Sequence, residues 1–144
     1  MSLNESVIQW ERKWSETRLV RRVRADPAVA RSRLLLAERN VDRARRERSG
    51  GDADAALIFA EQALINAADA ILARDGFSAN SHVVRFSYPG LPAIYQEERS
   101  LIDAVRASRN RAQYDSGGDV DPKLADRAMG LAARALAAIK PLIK

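Results

Sequence analysis

The 144-residue sequence predicts an all-α fold, an up-and-down four-helix bundle with an additional N-terminal helix, on three observations. Apolar residues recur at steps of three and four along most of the chain. Asp-Pro and Gly-Gly pairs punctuate those runs where helices start and stop. Nothing between them reads as a strand of consequence. The length suits one domain with an appended element, so residues 1–25 form the amphipathic addition and residues 26–144 the bundle.

Five helices are expected. The first runs from about Asn4 to Ala25, with Leu3, Val7, Trp10 and Trp14 on one stripe that fades in the second half. Asp26-Pro27 supplies an N-cap and a proline at the first helical position, opening a second helix that continues to about Arg48. Its apolar face is Ala30, Leu34, Ala37, Val41 and Ala44. Ser49-Gly50-Gly51 closes it and Asp52 caps the third helix, Ala55 to Ala73, which is apolar around most of its circumference apart from the narrow arc of Gln62, Asn66 and Asp69. Such a helix expects burial against several neighbours. Gly76 ends it, and a polar loop with His82 and the Tyr88-Pro89-Gly90 turn runs through Pro92. The fourth helix spans about Ala93 to Asp115 and ends at Ser116-Gly117-Gly118. Asp121-Pro122 caps the fifth, with Leu124, Ala128, Leu131, Ala135, Ala138 and Leu142 inward. Short connections favour antiparallel neighbours.

Composition narrows the chemistry. With no cysteine, disulfides and thiolate metal sites are excluded, a single histidine argues against zinc ligation by imidazoles, and no metal or cofactor is expected. The Gly-rich phosphate loop and the Gly-x-Ser-x-Gly elbow are absent from the sequence. Glu97 and Glu98 are adjacent on a helix and diverge by about 100°, which suits an acidic helix start better than a catalytic pair. No uninterrupted apolar run approaches the length of a bilayer span and no secretory pattern opens the chain, so the expectation is a cytoplasmic protein without membrane contact. The formal charge of +5 is uneven: residues 1–50 hold 13 Lys/Arg against 7 Asp/Glu, and residues 51–144 hold 11 against 12. That basic third is either a solvated helix face or a surface for phosphates, anionic lipid or an acidic partner.

The most informative stretch is Arg109-Asn110-Arg111-Ala112-Gln113-Tyr114. With Val105 at the centre of the fourth helix's apolar stripe, beside Leu101, Ile102, Ser108 and Ala112, a 100° step places Arg109 about 40° off centre. A guanidinium there needs carboxylate or carbonyl partners, or an opening to an anionic ligand. Glu61 and Asp69 on the third helix are the candidate partners. Asn110 and Tyr114 share a face turned away from that stripe.

This hexapeptide resembles the Arg-Asn-x-x-x-His signature of HEPN domains, small helical bundles of toxin–antitoxin and RNA-processing systems, with tyrosine where histidine is expected. The helix Asp54 to Leu64 is similar to the family's Ala-rich bundle helix, and a loop histidine, His82, follows in the same order. The similarity covers roughly Ala28 to Ile143. It implies a HEPN-like bundle that commonly dimerises, and a metal-independent endoribonuclease in which the arginine binds phosphate and the histidine assists proton transfer. Carried over, Arg109 is the phosphate-binding catalytic candidate, Asn110 its polar helper, and Tyr114 the occupant of the histidine position. Arg106, Arg109 and Arg111 are the RNA-binding candidates. A phenol with pKa near 10 is only about 0.1% ionised at pH 7, so Tyr114 is a poor general base.

Three outcomes fit that departure: a weak or specialised ribonuclease, a binder of RNA or protein that cleaves nothing, or a tyrosine acceptor for nucleotide attachment by a partner. The leading expectation is an RNA-binding module related to toxin endoribonucleases. The alternative is a non-enzymatic dimeric interaction protein, partner of a minimal nucleotidyltransferase of antitoxin type. In it Trp10 and Trp14 are the partner or dimer contacts.

Overall fold

The bundle's helices begin on caps that the sequence supplies. Asp26 accepts from the amides of Ala28 and Val29 at 3.0 and 3.2 Å, Asp52 from Ala55 at 2.9 Å, and Asp121 from Lys123 at 2.9 Å. Each satisfies amide groups that the first helical turn leaves without a partner. The computed structural model describes residues 1–114 and 120–144, with residues 112–114 described for the helix backbone alone. Its elements are α1 (Leu3–Ser15), β1 (Val20–Arg22), α2 (Pro27–Ser49), α3 (Ala53–Asp75), β2 (Phe77–Ala79), α4 (His82–Phe86), α5 (Ile94–Glu97), α6 (Arg99–Tyr114) and α7 (Pro122–Ile139), closed by a 3-10 turn over Lys140–Leu142.

Helices α2, α3, α6 and α7 form the bundle, and α3 lies at its centre against the other three. Leu57, Leu64, Ile71 and Leu72 of α3 are fully buried, as are Ala56, Ala60, Ala68 and Ala70, whose small side chains let the neighbouring helices approach. By length and mean hydropathy α3 could cross a bilayer, but most of it is buried inside the bundle. The expected apolar faces of α2 (Ala30, Leu34, Ala37, Val41, Ala44) and α6 (Leu101, Ile102, Val105) turn inward. Asn66, expected on a polar arc, is also buried, and its side-chain carbonyl accepts from Asn40 at 2.8 Å. A buried amide needs such a partner.

The N-terminal segment departs from expectation. The first helix stops at Ser15 rather than Ala25: the Thr17 hydroxyl bonds the Trp14 carbonyl at 2.6 Å, Arg18 takes a left-handed conformation at φ 61°, and the chain then extends as β1. β1 pairs antiparallel with β2, Val20 opposite Ala79 and Arg22 opposite Phe77. The early loss of the Trp10/Trp14 stripe was the sign of this change of period. Gly76 anchors the junction, because its φ of 85° suits glycine and an added Cβ would meet the Val23 carbonyl at 3.0 Å. Thus residues 1–25 are stitched to the bundle by backbone hydrogen bonds as well as by side chains.

Other boundaries also moved. The expected loop through Pro92 holds β2 and α4, and the expected fourth helix is interrupted at Glu98 between α5 and α6. Its proposed stop at Ser116-Gly117-Gly118 lies outside the described residues. α7 ends at Ile139, because Pro141 lacks an amide hydrogen and the chain tightens into the 3-10 turn. Leu142 is therefore exposed instead of facing inward.

Candidate functional site

On α6, Leu101, Ile102, Val105 and Ser108 are buried, and Arg106 and Arg109 stand on the flank of that stripe. The Arg109 side chain is 22% exposed, and its Nε lies 2.9 Å from Oε1 of Glu61 on α3, whose side chain is 2% exposed. This is an ion pair across the α3–α6 interface, with Glu61, one of the two candidate carboxylates, as the partner. Its geometry is poor, however: the Arg109 Nε–H and both Glu61 oxygens lack a hydrogen-bond partner among the described residues. Close approach without alignment yields Coulomb attraction but leaves the polar groups unsatisfied. Burial pushes the Glu61 carboxyl above its ordinary pKa, while the charges of Arg109 and Arg106 pull it down.

Arg106 is half-buried, and Asn110 and Arg111 are exposed. Neither Arg106 nor Arg111 forms an ion pair among the described residues. Tyr114 belongs to the α6 backbone, and its side chain lies outside the described residues.

Asp69, the other candidate carboxylate, is taken by an arginine that the sequence reading did not single out. Arg85 of α4 places Nε 2.6 Å from Asp69 Oδ1, Nη1 2.7 Å from His82 Nδ1 and Nη2 2.9 Å from the Ala79 carbonyl. Desolvation raises the Asp69 carboxyl pKa, opposed by Arg85 and by the charge of Arg33. The five residues of α4 are too few to show a helical period, and the turn from β2 is what brings Arg85 back over α3. No periodicity could have announced the pair.

Trp10 does not face outward. It is buried, its indole N–H donates to the Val84 carbonyl and the Ser87 hydroxyl oxygen at 3.2 Å each, and its ring packs edge-on against Phe77 and Tyr88. Trp10 therefore serves intramolecular packing. Trp14 is half-buried, with the Lys13 ammonium over its ring at 4.9 Å. Among the described residues no cluster of three or more His, Asp or Glu side chains could hold a metal ion.

A family model described as HEPN domain matches residues 30–142. No curated protein and no solved structure matches the chain.

Proposed function

The chain belongs to the HEPN domain family, and from that premise we propose an RNA-binding module, related to toxin endoribonucleases, in which Arg109 with Arg106 and Arg111 holds the phosphate backbone. The observation that carries this reading is the state of Arg109. It sits at the rim of a buried stripe, partly open to solvent, beside a carboxylate that does not satisfy its Nε–H. The Nε–H itself is enclosed, so a phosphate oxygen would meet Arg109 through the part of its side chain that stays exposed, where guanidinium and phosphate match in charge and donor geometry. Arg106 adds a second cation that forms no ion pair among the described residues. The inherited proton transfer is the weak point, because position 114 carries a phenol. Binding then outlasts cleavage. Incubating labelled RNA with wild-type protein and with Arg109→Ala tests the site: loss of binding, and of any cleavage, is expected in the variant. Equal cleavage by both proteins would remove Arg109 from the mechanism.

A second reading is a dimeric interaction protein, with a second copy or a nucleotidyltransferase-type protein as partner. It is favoured by a groove of about 460 Å³ lined by Trp10, Trp14, Val83 and Pro89 with Lys13 and Arg99 at its edge. Because Trp10 also braces the fold, Trp14→Ala is the discriminating variant. On this reading it lowers the molecular mass seen by analytical ultracentrifugation, and an unchanged mass counts against it.

A further inference from the structure

Arg99 opens α6, is exposed, and stands in the wall of the groove beside α1. Helix geometry fixes its relation to the arginines further along. Arg106, two turns on, projects within about 20° of Arg99 and about 10 Å along the axis. Arg109 lies about 60° further round, on the side that meets Glu61 of α3. The acidic residue of α6, Asp103, is turned about 40° to the opposite side of Arg99. The three arginines therefore share one flank of the helix, and that flank runs into the groove at its N-terminal end.

The groove holds about 460 Å³, within the range of small-ligand sites, and Trp10, Trp14, Val83 and Pro89 give it an apolar lining. Trp10 is buried and fixed by its indole hydrogen bonds, whereas Trp14 is half-buried and so keeps ring surface for a ligand. The Lys13 ammonium lies 4.9 Å from the Trp14 centroid, and because Lys13 is exposed it can move to a ligand's charge as the ligand takes the ring. The charged residues of the lining, Lys13 and Arg99, are both cations, and neither forms an ion pair among the described residues. An apolar occupant leaves both charges unmatched, while a nucleotide offers a flat ring and a phosphate together. Resting on the RNA-binding reading above, we infer that this groove is a base-stacking subsite for single-stranded RNA. A base lies on Trp14, the adjoining phosphates meet Lys13 and Arg99, and the strand continues along α6 to Arg106 and Arg109. A duplex keeps its bases stacked on one another, so the site takes a single strand.

The test uses the full chain and compares, by fluorescence anisotropy, a labelled short single-stranded RNA with the same strand carrying abasic residues in place of its nucleotides. Both strands carry the phosphates, and only the first can stack. Wild type should bind the intact strand about tenfold more tightly, the scale of one base on an aromatic ring. Trp14→Ala should lose that preference and Trp14→Phe should keep most of it, whereas a mere loss of stability would weaken both strands alike. Lys13→Ala/Arg99→Ala should keep the preference, with a salt slope shallower by about two. Equal binding of the two strands by wild type, full preference in Trp14→Ala, or an unchanged slope in Lys13→Ala/Arg99→Ala overturns the inference. If Arg106→Ala/Arg109→Ala weakens both strands in the same experiment, the RNA-binding reading stands without it. Unchanged preference in Trp14→Ala together with a lower mass in analytical ultracentrifugation overturns it and gives the groove to a second copy. An Arg106→Ala/Arg109→Ala protein that binds like wild type, or a wild type that binds neither strand, overturns both.

Discussion

Glu61 and Asp69 stand about two turns apart on α3, and each faces an arginine from a later helix. At Asp69 every guanidinium nitrogen of Arg85 has an acceptor. At Glu61 the arginine is as near, yet the Arg109 Nε–H and both carboxylate oxygens have no hydrogen-bond partner among the described residues. The difference separates two uses of one residue type. An arginine with every guanidinium nitrogen engaged is part of the fold, whereas one held mainly by charge, with part of its side chain exposed, retains capacity for a ligand.

The largest expected effect lies at the satisfied pair. Arg85→Ala strands the Asp69 carboxylate, the Ala79 carbonyl and His82 Nδ1, and should cost about 3 kcal/mol of stability in chemical denaturation, in the range for breaking a buried ion pair. A loss below about 1 kcal/mol, no more than an exposed pair contributes, would erase the distinction. Arg109→Ala should cost less, about 1–2 kcal/mol, because the Arg109 Nε–H and the Glu61 oxygens have no hydrogen bond to lose among the described residues. Its RNA affinity should nevertheless collapse. The ordering of these two stabilities is the first check on the comparison.

Glu61→Gln sharpens it from the other side. Removing the carboxylate frees Arg109, and RNA affinity should rise by roughly fivefold, worth about 1 kcal/mol. A carboxyl whose folded pKa is raised contributes stability below its unfolded pKa, and loses that contribution as pH rises through the folded value. Relative to wild type, the glutamine variant should therefore gain stability between pH 4 and pH 7. A gap that widens against the variant over that interval would contradict the direction assigned to Glu61.

The smallest effect belongs to His82. Its single ring resonance should titrate near pH 4 instead of 6.5. With the folded pKa depressed, its contribution to stability is present above about pH 6.5 and is lost as pH falls towards 4. Burial is the largest cause of this behaviour, followed by the charge of Arg85 in direct contact and those of Arg106 and Arg109 from α6. A midpoint at or above 6.5 would mean that the Arg85 contact does not hold in solution.

How legible these regions were in the sequence follows from how each is built. The bundle helices could be read because Asp26-Pro27, Asp52, Gly76 and Asp121-Pro122 act within one or two turns of themselves, and because burial repeats with the helical period. Arg109 could be placed for the same reason: its angle to Val105 is fixed by helix geometry, and Glu61 on the helix packed alongside was a short step further. β1 and β2 could not be read, since three residues carry too little alternation to outweigh a preceding helical stripe. The Asp69–Arg85–His82 chain depends on a strand turn that returns α4 across α3, a tertiary fact without a local signal. Trp10 was legible as apolar, but its packing against Phe77 and Tyr88 depends on that same turn.

The central claim is that the Arg106/Arg109 flank of α6 holds phosphate. Fluorescence anisotropy of a labelled single-stranded RNA across a salt series, with wild type and Arg106→Ala/Arg109→Ala, tests it most directly. Affinity for wild type should fall steeply with salt, and the double variant should bind at least about tenfold more weakly, with a salt slope shallower by about two. Equal affinity and equal slope for the two proteins would contradict the account.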